Sequence, residues 1–519
     1  MNSTKDNRVK ILILFYSISF LFILLNFGGV YWDDWAIYNQ DPDVWPRLFL
    51  ETGNWLLALP LCKLFLSIGN QVYIFRIFTF IAFLMSSIFF LKTLDNLNKD
   101  KSINFMLALT FALIPLNSAR ISLVCIFYTA AFLLYSIFLY LYTTKEKSTV
   151  KSILMIATLF LSFSTNSLLF FHLILITLIL YYQGELSSTK KMLITIKKNL
   201  IIFLAPFIFF IIKGIYLKPY GIYTNYNKIT FISFFKGIPT SLMSLVQIFK
   251  NLIMTMEVHN VLFTLVFLFV FKLLSRYNFN VPKNITFTKG FLTGIILTLS
   301  GLYPYAVVGK VPKGIAMNSR FEILTVYGLT IIFVFLIFKV SSKLKQTFLV
   351  PVIFSLLITF FMMRNINIYQ KYIVFWVENE AFESLIKANK TIAKNTSFTV
   401  TSSTFSSTKT IKKSATFYEY SGMSKKAFGS VDKLLSPESS PKGGLFPNGK
   451  VSSLFRERKH YNIFDYKDTP YQYHIHFQQI KKLTTDEIFS FLIKRLFNHE
   501  EKLQQIFLKH YKLILTKHN

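Results

Sequence analysis

Apolar residues in this chain come in long blocks separated by short polar turns, and the blocks show no strict alternation. Segments 11–30, 72–94, 121–142, 200–216, 290–308 and 323–338 carry little or no charge. Runs of this kind approach or exceed the roughly 20 residues that cross a hydrocarbon core about 30 Å thick. Lipid offers backbone groups no partner, so unbroken apolar runs mean helices rather than barrel strands. Shorter blocks at 103–116, 151–164, 168–182, 261–274 and 348–363 fit as further crossings. The pattern predicts a mainly α, polytopic helical membrane protein of about 11 spans.

The turns give an orientation. Lys5, Arg8 and Lys10 precede the first run, and every second turn is again basic: Lys92, Lys99 and Lys101, then Lys145 and Lys147, then Lys190, Lys191, Lys197 and Lys198. The alternate turns at 117–120 and 165–167 are short and nearly uncharged. The positive-inside rule then places the N-terminus in and the C-terminus out. The first run is too long for a signal peptide and has no small-residue cleavage site, so it reads as a retained helix. Two stretches depart from the pattern. Segment 55–68 is interrupted by Pro60 and Lys63 and suits an interfacial or half-embedded helix. Segment 217–260 mixes tyrosines with lysines, and its second half, 231–256, reads as one or two amphipathic helices on the bilayer or as a membrane hairpin.

From Asn365 the composition turns to Ser, Thr, Lys and Asn. The expected division is therefore a membrane domain, 1–364, with a first outer loop at 31–70, and a small soluble extracytoplasmic α/β domain, 365–519. Segments 397–403 and 471–477 have strand character. Thr484 with Glu487 forms a capping box opening an amphipathic helix that continues to about Leu515. Pro437, Pro441, Gly443, Gly444, Pro447 and Gly449 mark a loop between them.

Composition agrees with the pattern. Of 519 residues, 53% are hydrophobic and 16% charged, with a mean hydropathy of +0.46, which excludes an ordinary soluble domain. The net charge of +32 would suggest nucleic acid in a soluble protein, but here the cations sit in turns facing lipid headgroups and no recognition module accompanies them. Nucleic acid is thus not an expected partner, and membrane lipids are. Cys62 and Cys125 both lie in apolar segments and form neither a metal motif nor a disulfide framework.

Candidate chemistry begins where the first run ends, at Gly29-Val30-Tyr31-Trp32-Asp33-Asp34-Trp35. Two adjacent carboxylates stand at a membrane exit among three aromatic rings. The same face carries Lys310, Lys313 and Arg320, with Glu322 close by. A carboxylate can deprotonate an acceptor hydroxyl. Fixed cations can stabilise charge developing on a phosphate leaving group. A first helix, an outer Asp-Asp-Trp, an interfacial helix and many further spans resemble the GT-C glycosyltransferases, closest to bacterial enzymes that decorate cell-surface polysaccharides. That resemblance covers roughly 11–364. It implies sugar transfer from a polyprenyl-phosphate donor to a surface glycan or lipid-linked acceptor, on the outer side of the cell membrane. Asp34 or Asp33 would serve as base or assist a divalent metal ion, with Asp34 the favoured base. Tyr303-Pro304-Tyr305 through Lys310, Pro312, Ser319 and Arg320 is similar to the loops that hold the lipid phosphate.

Each of these residues has a plainer reading. The aspartates could cap an interfacial helix beside belt tryptophans, and the cations could contact headgroups. Arg76 reads as a snorkelling residue, and Arg120 and Arg364 as interface anchors. Glu257 and His259 offer a second acid/base or metal pair or an interfacial role. His172 reads as a core residue, and His474 with His476 as a surface pair on one strand face. Tyr418, Glu419, Gly422 and Met423 read as a turn and packing cluster. A polysaccharide polymerase or ligase is the rival enzyme. A transporter of lipid or glycan is the rival of another class, disfavoured by spans nearly free of acidic residues.

Overall fold

The computed structural model describes residues 7–36, 38, 49–68, 71–146, 148–220, 223–224, 227–254, 260–277, 279, 287–312, 316–344, 346, 348–404, 417–430, 433–438 and 472–517. Helix dominates, in the order α1 Arg8–Leu25, α2 Trp55–Ser67, α3 Gln71–Leu97, α4 Lys101–Leu113, α5 Ile126–Thr143, α6 Thr149–Ser162, α7 Ser167–Tyr182, α8 Thr189–Lys198, α9 Leu200–Tyr216, α10 Phe231–Met254, α11 Asn260–Leu274, α12 Phe287–Val307, α13 Thr325–Lys343 and α14 Leu349–Ala388. Seven of these (α1, α3, α5 with the turn before it, α10, α12, α13 and α14) are long and apolar enough to cross a membrane. The bent pair α8–α9, with a 60° break, makes up to eight. Helices α4, α6, α7 and α11 are apolar but shorter. This is the architecture of a multi-pass membrane protein.

All eleven expected crossings are helices, but among the described residues the number long and apolar enough to cross is seven, or eight with the bent pair. Helix α10 is the addition: a single 24-residue helix through Pro239, not a hairpin. It leans on α12, where a Cβ on Gly237 would lie 2.7 Å from Val307.

Local sequence explains several starts. Asp100 accepts from the backbone N–H of Ser102 and Ile103 at the head of α4, and Ser148 and Ser188 cap α6 and α8 through Lys151 and Lys191. Small residues explain the α12–α13 seam: a Cβ on Gly294 would stand 2.9 Å from the Gly328 carbonyl, so only glycine admits this approach. At one end of the bundle Arg8 grips Asp95 with both nitrogens, at 2.9 and 2.8 Å, fastening the start of α1 to the end of α3. Lys99 and Lys101, at the turn between α3 and α4, lie at this end, where the Lys101 carbonyl accepts from Arg8 at 3.1 Å. The turns carrying the aspartates lie at the other.

Helix α14 ignores the expected boundary at 364/365. It runs unbroken for 40 residues, about 60 Å at 1.5 Å per residue, or twice the hydrocarbon thickness. Its later half, with buried Glu378, Glu380 and Glu383, is the spine on which the C-terminal elements pack. A short helix α15, Lys390–Lys394, leads to β1, Ser397–Ser403. Helix α16, Phe417–Phe428, β2, Leu434–Pro437, and β3, Tyr473–Gln479, follow. Helices α17, Thr485–Leu496, and α18, Glu500–His510, then precede β4, Tyr511–Lys517. The sheet order is β2-β1-β3-β4, parallel except for the antiparallel β3–β4 pair. Its apolar face meets α14, with the Phe382 and Phe477 rings 5.4 Å apart. The Thr484–Glu487 capping box forms as expected, but the amphipathic helix does not run to Leu515. Asn498 adopts a left-handed φ of 54° and breaks it, and residues 511–517 alternate as a strand.

Candidate functional site

The chain reverses after α1 through Asn26-Phe27-Gly28-Gly29. A Cβ on Gly28 would lie 2.5 Å from Trp376 of α14, so the turn presses directly onto that helix. Arg76 fastens it from α3, its Nε donating to the Asn26 carbonyl at 3.2 Å and its Nη2 to that of Gly29 at 2.7 Å. Arg76 is fully buried, so it does not snorkel. Tyr31 follows, its hydroxyl 2.7 Å from Asn26 Oδ1 and 2.8 Å from the Tyr372 carbonyl. Asn379 donates to the Val30 carbonyl at 3.1 Å.

Residues Trp32–Ala36 then form one tight 3-10 turn. It separates the two aspartates. Asp34 points inward and has no solvent exposure. Its Oδ1 accepts from the Ser122 hydroxyl at 2.6 Å and the Val124 N–H at 3.1 Å, and its Oδ2 from the Tyr31 N–H at 3.4 Å. Burial pushes its carboxyl up to about 6, held from rising further by the Ser122 hydrogen bond and the Arg76 charge. Asp33 points outward with 43% of its side chain exposed, and its Oδ2 lies 3.8 Å from Arg320 Nη1. Asp34, the one favoured from sequence, is thus the buried carboxylate, and Asp33 is the exposed one. The two carboxylates turn to different partners and do not form a shared pair for a divalent ion.

Arg320 belongs to a second 3-10 turn, Ala316–Glu322. Its guanidinium carbon stands 4.8 Å from the Phe321 ring centre, and Lys310 Nζ stands 5.5 Å from the same centre, so one ring carries both cations. Burial, with the Arg320 charge beside it, pulls Lys310 down to about 7. Ser319 ties this turn to a third, Ser118–Ile121, accepting from the Ala119 N–H at 2.8 Å and lying 3.1 Å from the Ser118 hydroxyl. Each of the three turns contains or follows a non-glycine residue in the left-handed region: Trp32 at φ 50°, Asn117 at 54° and Ala316 at 56°. Such conformations cost of order 1–3 kcal/mol apiece and collect where a site requires them.

Sequence reasoning thus brings Asp33, Asp34, Arg320 and Lys310 to one place. Glu322 is buried beneath it, its carbonyl accepting from Thr325 at 2.7 Å. Lys313, Glu257 and His259 lie outside the described residues, as does the Tyr418 side chain. Arg120 and Arg364 are not interface anchors. Arg120 is buried between the Phe20 and Phe83 rings, at 4.8 and 4.2 Å, and donates to the Leu116 and Asn117 carbonyls. Arg364 is buried and donates to the Asn251 carbonyl. His172 is a core residue, placed between Tyr135 and the Ile202 carbonyl. His474 and His476 face the hydroxyls of Thr399, Thr401 and Ser403. Among the described residues no three His, Cys, Asp or Glu side chains converge as a metal-ligand set.

The contribution missed from sequence is α16. Gly422 lies flat on Trp35, where a Cβ would come within 2.9 Å of the tryptophan's own Cβ and carbonyl. One turn on, Lys426 reaches over the Trp35 and Tyr38 rings at 5.8 and 5.9 Å and pairs with Glu383 at 2.7 Å and Glu380 at 3.4 Å. Arg495 of α17 joins Glu380 at 3.3 Å. The Tyr-Glu-x-x-Gly-Met spacing shows a helical face with one small position, the signal that could have suggested a docking helix. No protein-family model, no curated protein and no solved structure matches the chain.

Proposed function

We propose that the protein is a membrane glycosyltransferase that moves a sugar from a polyprenyl-phosphate donor to a cell-surface glycan or lipid-linked acceptor, working on the outer face of the membrane. The observation that carries this reading is the exposed Asp33 carboxylate 3.8 Å from Arg320, with Lys310 across the Phe321 ring. It is a proton acceptor beside two cations, set where apolar helices end.

In this reading Asp33 takes the proton of the acceptor hydroxyl. The freed oxygen bonds to the anomeric carbon as the bond from that carbon to the phosphate oxygen breaks. The lipid phosphate leaves with the electron pair, its charge met by Arg320 and Lys310. Direct displacement inverts the anomeric centre. Asp34 is a positioning residue: it holds the turn to Ser122 and Val124 so that Asp33 faces Arg320. A transporter would need ionisable groups that change partners within the spans. Arg76 and Arg120 are instead tied to backbone carbonyls, which favours a fixed scaffold.

The test is sugar transfer in membranes supplied with a polyprenyl-phosphate sugar. Asp33→Asn is expected to lose about 10²–10⁴-fold in rate, as removal of a general base does, and Arg320→Gln to lose turnover with it. Full activity in both variants would refute the proposal.

A further inference from the structure

At the lysine-rich end of the bundle, opposite the aspartates, a cavity of about 560 Å³ opens among α3, α4, α5, α7, α12 and α13. Its size is that of a ligand pocket, roughly 300–1,000 Å³. Its lining is sorted along its depth. The floor is apolar and closed: Leu139, Leu297 and Tyr327 are at most 3% exposed. The mouth is polar and open, with Gln183 and Lys289 both exposed at the ends of α7 and α12. Tyr182 crosses the mouth, its hydroxyl 2.5 Å from Thr293, bracing α7 against α12.

A cavity that is greasy within and cationic at its rim, among helices of which α3, α5, α12 and α13 are long and apolar enough to cross a bilayer, has the polarity of a lipid standing in its leaflet. Hydrocarbon fits the floor at the depth of the acyl region, and a phosphate fits the rim where the helix ends meet water. The α3–α4 turn and the start of α4, which line the cavity at Asn98 and Ile103, carry Lys99 and Lys101. We infer that this cavity is a binding site for one anionic phospholipid of the bilayer, with an acyl chain against Leu139 and Leu297 and its phosphate at Lys289. The site lies at the other end of α3 and α12 from Asp33, so it is separate from the proposed donor site.

Native mass spectrometry of the full chain in non-ionic detergent tests it, with added phosphatidylglycerol, phosphatidylcholine or undecaprenyl phosphate. One phosphatidylglycerol is expected to remain bound in preference to phosphatidylcholine. Leu178→Trp, which fills the cavity from a half-buried position, should lower its retention about tenfold. Lys289→Gln should cut the preference for phosphatidylglycerol about fivefold while leaving phosphatidylcholine unchanged. Lys289 is exposed, so that variant reports even if Leu178→Trp does not fold. Equal retention of the two phospholipids by the wild type would overturn the inference. So would undiminished retention in folded Leu178→Trp, or tighter binding of undecaprenyl phosphate that Lys289→Gln weakens.

Discussion

At the scale of single residues, the adjacent aspartates do different work because a 3-10 turn sends one side chain in and the next out. Asp34 binds its proton more tightly in the folded chain than in the unfolded one, with its value raised from 3.8 to about 6. Its contribution to stability is therefore complete below about pH 4 and is lost as pH rises through 6. Thermal unfolding in detergent should show wild type losing about 2 kcal/mol more than Asp34→Asn between pH 4 and 7. Lys310, drawn down to about 7, gives the opposite limb: its charge disappears as pH rises through 7, and affinity for a phosphate falls with it. In a transfer assay kcat/KM should decline above pH 7, and Lys310→Arg, which stays charged, should remove that decline. The residue types of this site were legible because charge is rare in so apolar a chain. Which aspartate faces outward was not, since that depends on the left-handed Trp32. Nor does an arginine in an apolar run reveal whether it reaches water or, like Arg76, closes a turn from within.

Among elements, the contact that matters most joins two parts of the chain nearly 400 positions apart: α16 sits on the turn that carries the aspartates. Gly422 permits it, and its replacement by Ala would drive a methyl group into Trp35. Overpacking of this kind costs typically 1–3 kcal/mol, and Gly422→Ala should slow transfer several-fold while the protein still inserts in membranes. Lys426 acts beside it. Burial alone would lower its value, but Glu383 and then Glu380 outweigh that and raise it, so it stays charged. Lys426→Met takes from Glu383 its 2.7 Å partner and leaves Glu380 with Arg495, and breaking a buried pair in this way costs about 3–5 kcal/mol. Circular dichroism melts in detergent would register the difference. Helix ends and strands were readable locally: the Thr484–Glu487 box and Ser397–Ser403 stand where the side chains put them. The docking of α16 was not, because a glycine in a polar segment carries no mark of the partner it fits.

For the whole molecule the decisive element is α14, which belongs to both halves. Composition changes at Asn365, yet the helix continues because Ala381, Leu385 and Ala388 suit it as well as the apolar stretch before them, and Lys426 of α16 and Arg495 of α17 pair with its Glu380 and Glu383. A 60 Å helix that crosses once must project about 30 Å from the bilayer. The Asp33 turn, α16 and the sheet then all stand on the side to which it projects. Span counting does not settle that side, since α10, in the segment the sequence pattern left off the crossings, is also long and apolar enough to cross. The lysine-rich ends decide the expectation: the positive-inside rule puts them in the cytoplasm and the C-terminal elements outside. Both native cysteines are buried, so single introduced thiols report on a quiet background. In intact cells, a membrane-impermeant maleimide should label Lys502→Cys on α18 and leave Lys99→Cys and Lys190→Cys unlabelled until the cells are opened. The reverse pattern would place Asp33 and Arg320 in the cytoplasm, where a nucleotide sugar rather than a lipid-linked one would be the donor at hand.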